Sequence, residues 1–253
     1  MRGPGESSWR SSVLAGFLAL ACYAMLRQET FYSCDAHGFL LALRGGETRL
    51  AYHLAWLPSV QFLVGLLSPF GWSSFAVASW FGVVAAAIGI GFAHAAFRLW
   101  WRDRARAVRA TALLLVLPSI AFYASVVELH SLQFAACGPA YVAAAHYLGR
   151  PSRARAIALG LAVGFAFVGH ATSVLLPLAL VPVVAVEARA RGVLAHQVVR
   201  DAACCVAAAV LAIALVCLCC CGRDVVAMPL AALRYAGDQH LDALAAEPQL
   251  LVH

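Results

Sequence analysis

Lysine is absent from this sequence: all eighteen basic residues are arginine. Charge of either sign is scarce, at 12% of the residues, against about 25% in a soluble domain. A chain that is 63% hydrophobic has too little polar surface to stay dispersed in water, which excludes an ordinary soluble domain. The chain is read as a polytopic membrane protein, and soluble-domain counting by length does not apply. A net charge of +6 would suit a nucleic acid. The arginines, however, lie in short segments between apolar runs, where membrane topology accounts for them, so no nucleic-acid partner is expected. The arginine-only basic set and the heavy alanine content point to a GC-rich genome.

Cysteine is present nine times, mostly within or at the ends of apolar runs. The densest group, Cys217-Leu-Cys-Cys-Cys221, reads as small hydrophobes on a helix, so neither a zinc site nor a redox motif is expected. The N-terminal M-R-G-P-G-E-S-S-W-R and the apolar run behind it resemble a signal peptide. No clean small-x-small cleavage site precedes Gln28 and many hydrophobic segments follow, so an uncleaved first membrane helix is expected.

A membrane span needs about 20 apolar residues. Apolar blocks occur at Ser12–Leu26, Leu54–Phe70, Phe75–Phe97, Ala110–Val127, Ser131–Leu148 and Ala202–Cys221. The run from Ala156 to Val186 is too long for one span and is broken at Gly169-His170-Ala-Thr-Ser173 into two short ones. Four basic segments punctuate the blocks: Arg2 and Arg10, residues 98–109, residues 150–155, and residues 189–200. Arginine-rich segments stay on the cytoplasmic side. All four fall there only if the Leu54–Phe70 block does not cross. That block is also the poorest span, with Pro58, Gln61 and Pro69 inside it, and it is read as a re-entrant or interfacial helix.

The expected fold is therefore an all-α polytopic membrane protein. It has about seven transmembrane helices plus the re-entrant or interfacial helix in the first outer loop, with the N-terminus cytoplasmic and the C-terminus outside. A transmembrane module is expected over 1–221, with a first outer loop at 28–74. The outer tail over 222–253 is read as the start of a longer remainder.

That topology gathers polar groups on one face. The longest polar stretch, Cys34 to Pro58, holds Asp35, His37, Arg44, Glu47, Arg49 and His53. Glu128 and His130 close the fourth block, and His170 sits at the break between the short spans. All of these fall outside, whereas Glu6, Asp103, Glu187, His196 and Asp201 fall inside. A carboxylate at a membrane surface can act as a base, bind a metal or pair with arginine. An acid at a helix end facing a cavity is a site candidate. His94, within the clean third block, is expected to be a satisfied packing residue.

These residues resemble the N-terminal membrane module of the GT-C glycosyltransferases, closest to their protein O-mannosyltransferase-like branch. The family's D-S-G-E is matched by Asp35-Ala-His-Gly38, and H-P-P-G-Y-P by His53-Leu-Ala-Trp-Leu-Pro58. A-E-V-Y-A-L is matched by Val127-Glu-Leu-His-Ser-Leu132, and G-x-x-H-x-T by Val168-Gly-His-Ala-Thr172. The resemblance covers roughly residues 12–200 at motif level. Gly38 replaces the family's second acid, and Leu54, Ala55 and Trp56 replace its P-P-G.

The resemblance implies a multi-pass protein of a bacterial inner membrane. It implies sugar transfer from a polyprenyl-phosphate-linked donor to an acceptor on the outer face, with Asp35 as base. His53, Arg44, Arg49, Glu128, His130 and His170 would contact the substrate or its lipid phosphate. No cofactor is implied beyond a divalent cation that would hold the leaving phosphate, with its ligands unknown. The alternatives are an inactive relative that binds a lipid phosphate or a partner, and a transporter with a broken-helix site around His170.

Overall fold

The computed structural model describes residues 6–29, 34–45, 55–101 and 103–221, without the side chains of residues 6–8, 34–37, 171, 174, 217, 220 and 221. Among the described residues all regular structure is helical. The helices are α1 (Glu6–Leu26), α2 (Cys34–Arg44), α3 (Trp56–Leu67), α4 (Ser74–Trp101) and α5 (Arg104–Leu115), then α6 (Pro118–Ser125), α7 (His130–Gly149), α8 (Arg153–Ala166), α9 (Leu176–Ala190) and α10 (Ala195–Cys221).

Among the described residues three helices are long and apolar enough to cross a membrane: Trp9–Leu26 within α1, all of α4, and Ala195–Val216 within α10. A fourth is added if α5 and α6 count as one span bent by 57°. Their outward faces are apolar, as a lipid surround requires. Phe17, Leu14, Val210 and Leu211 are each more than half exposed. The expectation of about seven spans meets this test only in part. α8 and α9 have 14 and 15 residues, about 21–23 Å at 1.5 Å per residue, short of a hydrocarbon core of about 30 Å. α7 is long enough at 20 residues, but its apolar run is diluted by Gln133, Pro139 and His146.

The block expected not to cross is a 12-residue helix, α3, closed by a 3-10 turn at Ser68–Phe70. At about 18 Å it cannot span. Gly71 follows at φ 80°, a left-handed conformation that turns the chain into α4.

Several stretches expected to be loops are helical. The polar segment after α1 contains α2, whose Leu40 and Ala42 are buried. Phe39, on the same helix, packs on Trp56 at 5.4 Å between ring centroids. The basic 98–109 segment is a corner between two helices, where Asp103 caps α5 through Ala105 N–H at 2.8 Å and Arg106 N–H at 3.2 Å. Those backbone N–H donors, that of Arg106 first, hold the Asp103 carboxyl below its ordinary range. The fourth block breaks at Val116–Leu117, because Pro118 has no N–H for the ladder. Tyr23 OH donates to the freed carbonyl of Leu115 at 3.1 Å. Asp201, expected in an inner loop, is 1% exposed inside α10 and accepts from Tyr147 OH at 3.1 Å and from Arg200 at 3.0 Å.

Helices pack closely because their contacts are small. α8 and α10 meet at Gly160 and Gly164, where an added Cβ would collide with the carbonyls of Cys205 and Ala209, a small-x-x-x-small contact. α1 and α4 meet at Gly16, Ala87 and Gly91.

Candidate functional site

The site is built where the end of α1, the start of α4, the α6–α7 link and the α8–α9 link meet. Gln28, just past α1, ties three of these together. Its N–H donates to Ser125 O at 2.8 Å, its Oε1 accepts from Val127 N–H at 3.2 Å, and its carbonyl faces Ser79 Oγ at 3.5 Å. Ser131 Oγ donates to Tyr123 O at 2.7 Å and binds the first turn of α7 to α6. The 126–129 link between them is thereby fixed.

Glu128 projects from that link with only 10% of its side chain exposed. Its Oε2 accepts from Leu129 N–H at 3.0 Å and from His130 Nδ1 at 3.1 Å. Burial alone would push the carboxyl up; the His130 and Leu129 hydrogen bonds outweigh it and the net displacement is downward. Glu128 is therefore an anion at neutral pH, and its neighbour is an imidazole with Nδ1–H pointed at it.

The His130 ring, 44% exposed, lies beside two others. Tyr123 stacks on it at 4.4 Å and 29° between planes, and His170 at 5.7 Å and 28°. His170 reaches this position because Gly169 brings the chain against α7. A Cβ at Gly169 would lie 2.9 Å from Ala136 Cβ, 3.0 Å from Gln133 Cα and 3.2 Å from Leu132 O.

His170 begins the 3-10 turn at Ala171–Leu175, and its Nδ1 accepts the N–H of Thr172 at 3.0 Å. Thr172 Oγ1 lies 2.8 Å from the same nitrogen and accepts from Gln133 Nε2 at 3.0 Å. A nitrogen that accepts a backbone N–H cannot also carry a proton, so the proton of the neutral ring sits on Nε2. Burial, and then the neighbouring His130, push the His170 imidazole down to about 4, with Glu128 opposing.

Three of the seven residues predicted from the sequence, Glu128, His130 and His170, are thus in one cluster. Arg44 is exposed in the last turn of α2. Asp35 lies in the first turn of α2, and its side chain is outside the description. His53 and Arg49 lie outside the described residues, as do Glu47 and the tail over 222–253. One contact joins the segment after His53 to the cluster: Ala55 N–H donates to Val168 O, two residues before His170, at 3.2 Å. Trp56 follows, fully buried, with no hydrogen-bond partner for Nε1 among the described residues.

Sequence reasoning missed Tyr123, Gln133 and Gln28. Gln133 had a signal, being three residues beyond His130 on one helical face; Tyr123 and Gln28 had none.

Among the described residues no three His, Cys, Asp or Glu side chains gather to hold a metal ion. The described part of the site does not fit a divalent cation, and no step is routed through one. No family model, curated protein or solved structure matches the chain. The site is therefore read from its geometry.

Proposed function

We propose that the chain is a membrane glycosyltransferase that moves a sugar from a polyprenyl-phosphate-linked donor to an acceptor at the Glu128–His130–His170 end of the bundle. Asp35 takes the proton of the acceptor, whose oxygen displaces the lipid phosphate in line and inverts the sugar carbon. His53, Arg44, Arg49, His130 and His170 supply the cations and N–H donors that face the phosphate. The observation that carries this reading is the Ala55–Val168 hydrogen bond. It sets the segment that resembles the family's H-x-x-x-x-P element against the one that resembles its G-x-x-H-x-T element.

The proposed topology has seven crossings, by α1, by α5 with α6, and by α4, α7, α8, α9 and α10, while α3 stays at the outer face in a bacterial inner membrane. Two sets of contacts support it. The arginines of the 150–155 and 189–191 segments share one end, where Arg155 Nη1 donates to His146 O at 2.8 Å and Arg191 Nη1 to Leu148 O at 3.2 Å. The Glu128 cluster lies at the opposite end of α7.

Asp35→Asn is expected to lower lipid-linked sugar transfer in purified membranes by at least about 100-fold. An unchanged rate removes Asp35 as the base. A wild-type protein that transfers no sugar favours the inactive relative. Cysteines placed at Arg104 and Arg153 should be shielded from an impermeant thiol reagent added outside; labelling there would overturn the topology.

A further inference from the structure

We propose that His130 is the general acid of this transfer: its imidazolium gives the Nε2 proton to the phosphate oxygen that leaves the sugar carbon, and Glu128 is the residue that positions it. The inference rests on the glycosyltransferase reading above and assigns the half of the proton chemistry that Asp35 does not perform.

The need for an acid follows from the charge balance of the step. The acceptor O–H gives its proton to Asp35, and its oxygen forms the new bond to the sugar carbon. The bond from that carbon to the phosphate oxygen breaks, and the electron pair goes to the phosphate. A phosphodiester with one negative charge thus departs as a monoester with two. The second ionisation of a phosphate monoester lies at about 6, so the departing oxygen is basic enough to take a proton from a donor placed beside it. Proton transfer from His130 leaves a singly charged lipid phosphate and a neutral imidazole, which solvent recharges.

The geometry selects His130 over its neighbour. His170 cannot serve as an imidazolium while its Nδ1 accepts the Thr172 N–H at 3.0 Å. Its imidazole, pushed down to about 4, stays neutral at pH 7. His130 has the opposite arrangement. Its Nδ1 faces a carboxylate at 3.1 Å, so Nε2 is the edge left to carry and release a proton. The carboxylate is 10% exposed while the ring is 44% exposed, so the fixed partner is inside and the working edge is reachable. Tyr123 and His170 lie near-parallel to the ring at 4.4 and 5.7 Å between centroids and hold its plane. Glu128, Tyr123 and His170 are the titratable groups that face it among the described residues.

The test is the pH dependence of kcat for a polyprenyl-phosphate hexose donor in proteoliposomes, for the wild type, His130→Gln and Glu128→Gln. The wild type should lose activity on the basic side, as the acid loses its proton. His130→Gln should lower kcat by about 100-fold or more, abolish the basic limb and leave KM little changed. Glu128→Gln should keep the limb but move it to lower pH, because the carboxylate that faces Nδ1 at 3.1 Å favours the charged ring. A residue with a merely structural role would not move the limb. His130→Gln within about threefold of the wild-type kcat, with the basic limb intact, overturns the assignment. If that variant does not fold, an unmoved limb in Glu128→Gln overturns it instead. A wild type without any transfer overturns the glycosyltransferase reading, and the role of His130 falls with it.

Discussion

At one end of the bundle His94 lies 3% exposed between two hydroxyls, Thr111 Oγ1 at 2.9 Å from Nδ1 and Ser11 Oγ at 3.3 Å from Nε2. At the other end His130 stands half exposed beside Tyr123 and His170, with one nitrogen on a carboxylate. Thr111 OH is already directed at Ala107 O, 2.8 Å away. Its oxygen therefore accepts from His94 Nδ1–H, and Nε2 accepts from Ser11. Both nitrogens of His94 are saturated by neutral groups, and the ring joins α1, α4 and α5. The difference lies in the partners. A histidine closed on both nitrogens by hydroxyls is a fastening, whereas one held on one side by a buried anion and open on the other is equipped to pass a proton.

The contrast breaks most visibly at Gly169. Gly169→Leu forces the 168–170 backbone away from Gln133 and Ala136. Overpacking of this kind costs about 1–3 kcal/mol, and the midpoint of thermal unfolding in detergent should fall by about 5 °C. Because His170 moves with that backbone, sugar transfer should fall far more than the lost folded fraction explains. Transfer that tracks the folded fraction alone would mean that the ring stack has no part in the chemistry.

A smaller effect is expected at the opposite end. His94→Ala leaves two hydroxyls short of a partner and a gap between α1 and α5, at a cost of about 2 kcal/mol. Transfer per folded molecule should stay at the wild-type value. A loss of turnover in a stably folded His94→Ala would erase the distinction between the two ends.

The smallest effect is the acid response of His170. Its folded value of about 4 lies below the ordinary 6.5 of an unfolded chain, so between those values the unfolded chain binds a proton that the native ring refuses. The stability linked to His170 is complete above about pH 6.5 and is lost as pH falls through about 4. Melting temperature should decline over that window in the wild type. His170→Asn, which keeps a side-chain acceptor for the Thr172 N–H, should flatten the decline. Equal slopes in the two proteins would remove His170 as the acid-sensitive group.

Much of this organisation was legible before the fold. The short helix within the Leu54–Phe70 block, the break at Gly169-His170, the packing role of His94 and the meeting of Glu128, His130 and His170 were all expected from the apolar runs and the placement of arginine. What stayed hidden has a common cause. α2, the Asp103-capped corner and the first turns of α10 are helices whose residues are too polar to stand out in hydropathy. Their helicity comes from caps and from contacts such as Phe39 on Trp56. The kink at Pro118 was visible as a proline but passed as part of a continuous apolar block. Asp201 looked like a loop acid because its partner Tyr147 lies 54 positions away.

The hydrogen bond at position 55 has a consequence for which residues the position accepts. Proline there would have no N–H to donate. Alanine supplies the donor that reaches Val168 O. Ala55 thus provides a direct main-chain latch to the segment leading into His170. Such a latch is blind to side-chain identity: any residue at 55 except proline preserves it.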